Sequence, residues 1–183
     1  MTQAHGAVAA CGDAAGPASG ALRPPELASA DLAVSGVVDL YGPHDPLDSE
    51  GSYGRVHRGD TFPKFFRHVV LKKSRKEEGG LEAWQQASPR WWVDQVEPPP
   101  FFVVACTHDT LVPVADGRRF AAAIRQRRVA LDQTGVCDVY AEMPGATHAF
   151  NFTPSPSTFA LTDAVLRFSE EVSAARALGS ARL

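Results

Sequence analysis

Two residues of the chain are of the types that move protons, and both stand where a fold would present them. Asp109 lies in Thr107-His108-Asp109-Thr110-Leu111-Val112-Pro113, directly after the apolar run FFVVAC of Phe101–Cys106. His148 lies in Pro144-Gly145-Ala146-Thr147-His148-Ala149-Phe150, directly after a second apolar run over residues 136–143. In open parallel sheets, ligands bind beyond the carboxyl ends of strands. An Asp and a His just past two strands, 39 residues apart, can therefore meet at one sheet edge. A carboxylate against an imidazole fixes the ring's tautomer and stabilises the imidazolium, which is what a general base needs. Taken singly, the Asp reads as a helix cap and the His as a surface residue of a Pro-Gly loop. The pair, in this order and at these strand ends, favours the acid–base reading.

Four apolar runs supply the strands that would carry these loops: residues 7–11, 34–41, 101–106 and 136–143. The second and third are continuous and rich in Val and aromatics, as in strands buried on both faces. Helical spacing follows each of the last two. Phe120, Ala123 and Ile124 repeat after Pro113, and Leu161, Val165, Phe168, Val172 and Ala175 form one stripe, with Arg167, Glu170 and Glu171 on the other side. Strands alternating with helices predict an α/β fold: a parallel sheet of about four strands with helices on both faces. Residues 43–100 differ. They are polar, charged and punctuated by Gly and Pro, and read as an insertion between core strands, with a helix over 62–73 burying Phe65, Phe66, Val69 and Val70 and a short one over 81–86.

Composition narrows the function classes. The 183 residues fit a single domain, 1–183, and the 44% hydrophobic and 21% charged content argues against global disorder. Eighteen basic against 21 acidic residues give a formal net charge of −3, which disfavours nucleic acid as a partner. The basic cluster Lys64, Arg67, His68, Lys72, Lys73, Arg75 and Lys76 reads as a solvated helix face, partly balanced by Glu77 and Glu78. No apolar run is long enough to span a membrane. Residues 1–20 show no signal-peptide pattern, and three cysteines, Cys11, Cys106 and Cys137, fit reduced thiols, so a cytoplasmic protein is expected. His5, His44, His57 and His68 have no metal-ligand spacing, and neither a metal nor a cofactor is expected. Trp84, Trp91 and Trp92 read as packing of the insertion, though Trp91 could line a pocket.

Four segments in one order carry a resemblance. GDAAG at 12–16, VVDLYGP at 37–43, PPFFVVACTHDTLVPVADGRRFAAAI at 99–124 and VYAEMPGATHAF at 139–150 resemble the α/β-hydrolase fold, in the esterase and lipase branch related to hormone-sensitive lipase. The tripeptide Ala87-Ser88-Pro89 also looks like this branch. The likeness runs over roughly residues 7–177 and implies a partial α/β-hydrolase fold that hydrolyses carboxylic esters by acyl transfer. It gives Asp109 the role of orienting the catalytic His148. The family's nucleophile is a Ser in a G-x-S-x-G elbow. No Ser of this sequence sits in that frame, and Ala14 occupies its centre in Gly12-Asp13-Ala14-Ala15-Gly16. The sequence also contains no HGGG-type oxyanion run.

The resemblance thus implies an esterase-family protein, truncated or catalytically impaired, whose partner is a small-molecule ester substrate. The alternative is a non-catalytic module of the same fold that binds a small acyl ligand or a protein. If the strand at 7–11 forms a sheet edge, its apolar sequence favours self-association through that edge.

Overall fold

The computed structural model describes residues 34–56 and 64–180. Three parallel strands form its sheet in the order β1-β2-β3: β1 is Val37–Leu40, β2 Phe101–Cys106 and β3 Val139–Met143. Val37 pairs with Phe101 and Leu40 with Val104, while Phe102 pairs with Val139 and Cys106 with Met143. This register brings the carboxyl ends of all three strands to one edge. The strand expected at 7–11 lies outside the described residues.

The central strand explains the layers. Its six residues are all buried, and successive side chains point to opposite faces. Phe101 and Val103 pack with Trp92, Val93, Val96, Phe120, Ala123 and Ile124. Phe102 and Val104 pack with Leu161, Phe168 and Val172. Two helices supply most of these partners: Val114–Ala130 and Pro156–Ser180. Helices therefore cover both faces. The first approaches the sheet closely at Gly117, where a Cβ would come within 3.0 Å of the Ala105 side chain. On the second, Leu161, Phe168 and Val172 are buried, but Ala175 is exposed and does not extend the stripe.

Between β1 and β2 lie short helices at Ser52–Val56 (α1), Gly80–Gln86 (α2) and Pro89–Val93 (α3), so the two long helices are α4 and α5 in chain order. Ala87-Ser88-Pro89 is the start of α3: Ser88 is the N-cap, its hydroxyl oxygen accepting from the Trp91 N–H, and Pro89 fills the first turn. Trp92 and Val93 carry this segment into the core beside Phe101. Of the helix expected over 62–73, residues 62–63 lie outside the described residues and 64–70 are helical, but Phe66–Val70 is a π-helical turn, closed by a Leu71 N–H to Phe66 C=O bond, and the helix ends there. The wider turn breaks the 3.6-residue stripe. Phe66 is buried against Trp84, whereas Phe65 and Val69 are exposed. The basic residues around it serve local structure, with Arg75 lying 5.0 Å over the Trp84 ring and bonding the Leu47 carbonyl. Among the described residues no helix is long and apolar enough to cross a membrane.

Candidate active site

Each strand ends in a loop that turns a candidate site residue toward the shared edge. After β2, Asp109 is fully buried at its side chain. Its Oδ1 accepts from the backbone N–H groups of Leu111 and Val112 at 2.7 and 2.9 Å. Those bonds aim Oδ2 outward, where it meets His148 Nδ1 at 2.8 Å. The loop carrying His148 is stitched to the Asp109 loop. The Gly145 N–H donates to Thr107 Oγ1 at 2.8 Å, and the His108 N–H donates to the Ala146 carbonyl at 3.0 Å. Gly145 and Ala149 flank the histidine with positive φ of 70° and 61°, conformations a tight loop imposes and a Cβ disfavours.

The His148 side chain is 30% exposed. A carboxylate oxygen accepts, so the Asp109 bond calls for a proton on Nδ1 and leaves Nε2 as the nitrogen not engaged by Asp109. This pair can take a proton from a nucleophile presented to Nε2 and return it to a leaving group. The structure thus brings Asp109 and His148 together. Ala14, the centre of the elbow frame, lies outside the described residues.

Two features escaped the sequence reading. Tyr41, the residue after β1, packs its ring 4.6 Å from that of His148 at an interplanar angle of 63°. Its hydroxyl donates to Asn151 Oδ1 at 2.6 Å. Burial first, and then the nearby Cys106 and Asp109, push the phenol's pKa above its ordinary value, so it stays a neutral donor. The apolar run 34–41 includes Tyr41, so by sequence it reads as part of the strand and not as the first residue of the loop beyond it.

The second is a cluster built on His44, which shows no metal-ligand spacing in the sequence. Its ring is buried, with Nε2 2.6 Å from Asp39 Oδ2 and Nδ1 2.9 Å from Asp116 Oδ2. The His44 N–H and the Tyr53 hydroxyl also donate to Asp116 Oδ2. The ring stacks on Phe120 at 4.1 Å. Burial alone would lower the histidine's pKa, but Asp39 and Asp116 outweigh it and raise it to about 10. Asp116, opposed by its burial, is held below the ordinary carboxylate range by His44. A cavity of about 220 Å³ beside this cluster is lined by Trp91, Arg90 and Arg119. Neither Asp109 nor His148 lines it, so the cavity next to Trp91 is separate from the Asp109–His148 pair.

No protein-family model matches the chain. Three curated proteins of Mycobacterium tuberculosis strain H37Rv do. Esterase LipQ is 32% identical over 144 residues, 79% of this chain and 31% of LipQ. Esterase LipC is 30% identical over 147 residues, 80% of this chain and 33% of LipC. The probable carboxylic ester hydrolase LipM is 30% identical over 156 residues, 85% of this chain and 33% of LipM. The chain thus spans about a third of the length of these relatives. Among solved structures, esterase B of Lactobacillus rhamnosus superimposes with a TM-score of 0.65, over 95% of this chain and 51% of that one, at 13% identity. Its inhibited form gives 0.66. Parallel strands with helices on both faces, this shared fold and three esterase relatives agree: the chain belongs to the esterase and lipase family of the α/β-hydrolase fold.

Proposed function

We propose that this chain carries the acid–base half of a carboxylic ester hydrolase and, taken alone, does not complete the reaction. In this reading His148 Nε2 accepts the proton of an attacking hydroxyl and returns it to the departing alcohol. Asp109 holds the ring and stabilises its cation. The 2.8 Å bond between Asp109 Oδ2 and His148 Nδ1 at the carboxyl edge carries the reading. What limits it is Ala14: a methyl group in the elbow frame offers no oxygen to form an acyl-enzyme. The substrate class, by similarity to LipQ, is a small carboxylic ester, and the compartment is cytoplasmic. Residues 1–183 act as one domain, with 43–100 inserted between core strands.

Purified chain incubated with p-nitrophenyl esters is expected to show no turnover above a His148→Ala control. Turnover that disappears in that variant would show that a nucleophile other than residue 14 serves the pair. A serine-directed fluorophosphonate should likewise leave the chain unlabelled. We further propose self-association through the sheet edge expected at residues 7–11, whose sequence is apolar and carries no Lys or Pro to discourage pairing with another chain. Light scattering is expected to show species above the monomer mass, and a monodisperse monomer would reject this.

A further inference from the structure

Tyr41 carries more order than its place in the core requires. Its N–H still bonds the Val104 carbonyl at 2.7 Å, continuing the ladder one residue past β1. There the backbone breaks to φ 47°, a conformation that is costly for an aromatic residue and persists only where its surroundings impose it. The surroundings are visible. Gly42 lies so close over the Asp39 carboxylate that a Cβ would overlap Oδ1, and Asp39 is itself fixed by His44. The turn thus swings the ring away from the sheet and onto the His148 loop, where it meets the edges of both His148 and Phe150. The hydroxyl then reaches Asn151, three residues beyond the histidine. One side chain grips the loop at two points on either side of Ala149, the residue with φ 61°.

We propose that Tyr41 is a positioning residue for His148: its ring limits rotation of the imidazole, and its bond to Asn151 holds the ring in place, so that Nδ1 stays on Asp109. The proposal rests on the proton-handling role given to His148 above. Asp109 alone fixes one atom of the imidazole and leaves the ring free to swing about that bond. A T-shaped neighbour 4.6 Å away removes that freedom.

The test reads the Nδ1–H of His148 by proton and nitrogen NMR on the full chain with labelled histidine, the signal being assigned by its loss in His148→Gln. The wild-type chain is expected to show a low-field Nδ1–H protected from solvent exchange. Tyr41→Leu should exchange that proton about 10-fold faster, the loss expected for one aromatic contact. Tyr41→Phe, which keeps the ring and removes the Asn151 bond, should exchange it about 3-fold faster. Absence of a protected Nδ1–H in the wild type would overturn the Asp109–His148 reading itself. A protected wild-type signal with unchanged exchange in a folded Tyr41→Leu chain would overturn the role of Tyr41 alone. A purely structural Tyr41 would lower the melting temperature of that variant and leave the exchange rate of its folded state unaltered. If Tyr41→Leu does not fold, Tyr41→Phe decides, and unchanged exchange there overturns the proposal.

Discussion

The molecule contains two aspartate–histidine clusters less alike than their residue types suggest. At the strand ends, Asp109 engages one nitrogen of a histidine whose side chain is 30% exposed. Inside the core, Asp39 and Asp116 occupy both nitrogens of His44, and Phe120 covers its face. The first ring reaches solvent, as the proton-handling role proposed for it requires. The second is saturated: it is charged, paired on both sides and shut off from solvent. Chemistry follows from what is left unsatisfied, and the difference lies in the packing around the histidine, not in the presence of a carboxylate.

The largest effect should come from emptying the saturated cluster. His44→Leu leaves Asp39 and Asp116 buried without their cation. Removing one partner of a buried ion pair costs about 3–5 kcal/mol, a large part of the whole stability of a domain this size. Urea unfolding is expected to show a chain at or near the limit of folding. A loss below about 1 kcal/mol would mean that His44 is not the charged centre drawn here.

A smaller and more diagnostic effect is the pH dependence of that contribution. The pKa of His44 is raised to about 10 in the fold from an ordinary value of 6.5. A raised pKa stabilises the folded state fully below the unfolded value and loses that contribution as pH climbs through the folded one. The stability gap between wild type and His44→Gln should therefore be widest near pH 6, shrink from about pH 6.5 upward and level off above about pH 10, where only the charge-independent contacts of the ring remain. A gap that stays constant across this range would show that His44 is neutral and held by hydrogen bonds alone.

The sequence made one of the two clusters legible and hid the other. Asp109 and His148 each follow a strand whose run could be read directly. Phe101–Cys106 is buried at every position, so its apolar run matches the strand end for end. The run at 136–143 overshoots, because Asp138 accepts from Phe101 N–H and Arg128 instead of entering the ladder, leaving β3 to begin at Val139. The run at 34–41 likewise overshoots at its end, where Tyr41 turns to positive φ. The His44 cluster has no such local signal. His44 and Asp39 are five residues apart, but Asp116 arrives from 72 residues away on α4, and its place in that helix's first turn reads as an ordinary cap. Only the packing of α4 on the sheet brings the three together. The π-helical turn was hidden for a related reason: its apolar residues have helical spacing, but Trp84 receives Phe66 while Phe65 and Val69 stay 42% and 48% exposed.

The smallest effects belong to the open cluster, and they should fall in a definite order. Asp109→Ala removes the acceptor of two backbone N–H groups, and Val112 beside it is buried. An unsatisfied buried donor costs about 1–3 kcal/mol, so this variant should unfold at clearly lower urea. His148→Ala removes a ring that is about a third exposed and bonded at one atom. It leaves Asp109 its two backbone donors, and Tyr41 keeps its bond to Asn151. Its loss should be no more than about 1 kcal/mol. Equal losses in the two variants would mean that the Asp109 carboxylate depends on His148 for its place. The order predicted here says the reverse: the loop after β2 fixes Asp109 first, and the histidine is added to a carboxylate already held. A site ordered in this way keeps its geometry while the histidine changes protonation, which is what a general base requires of its support.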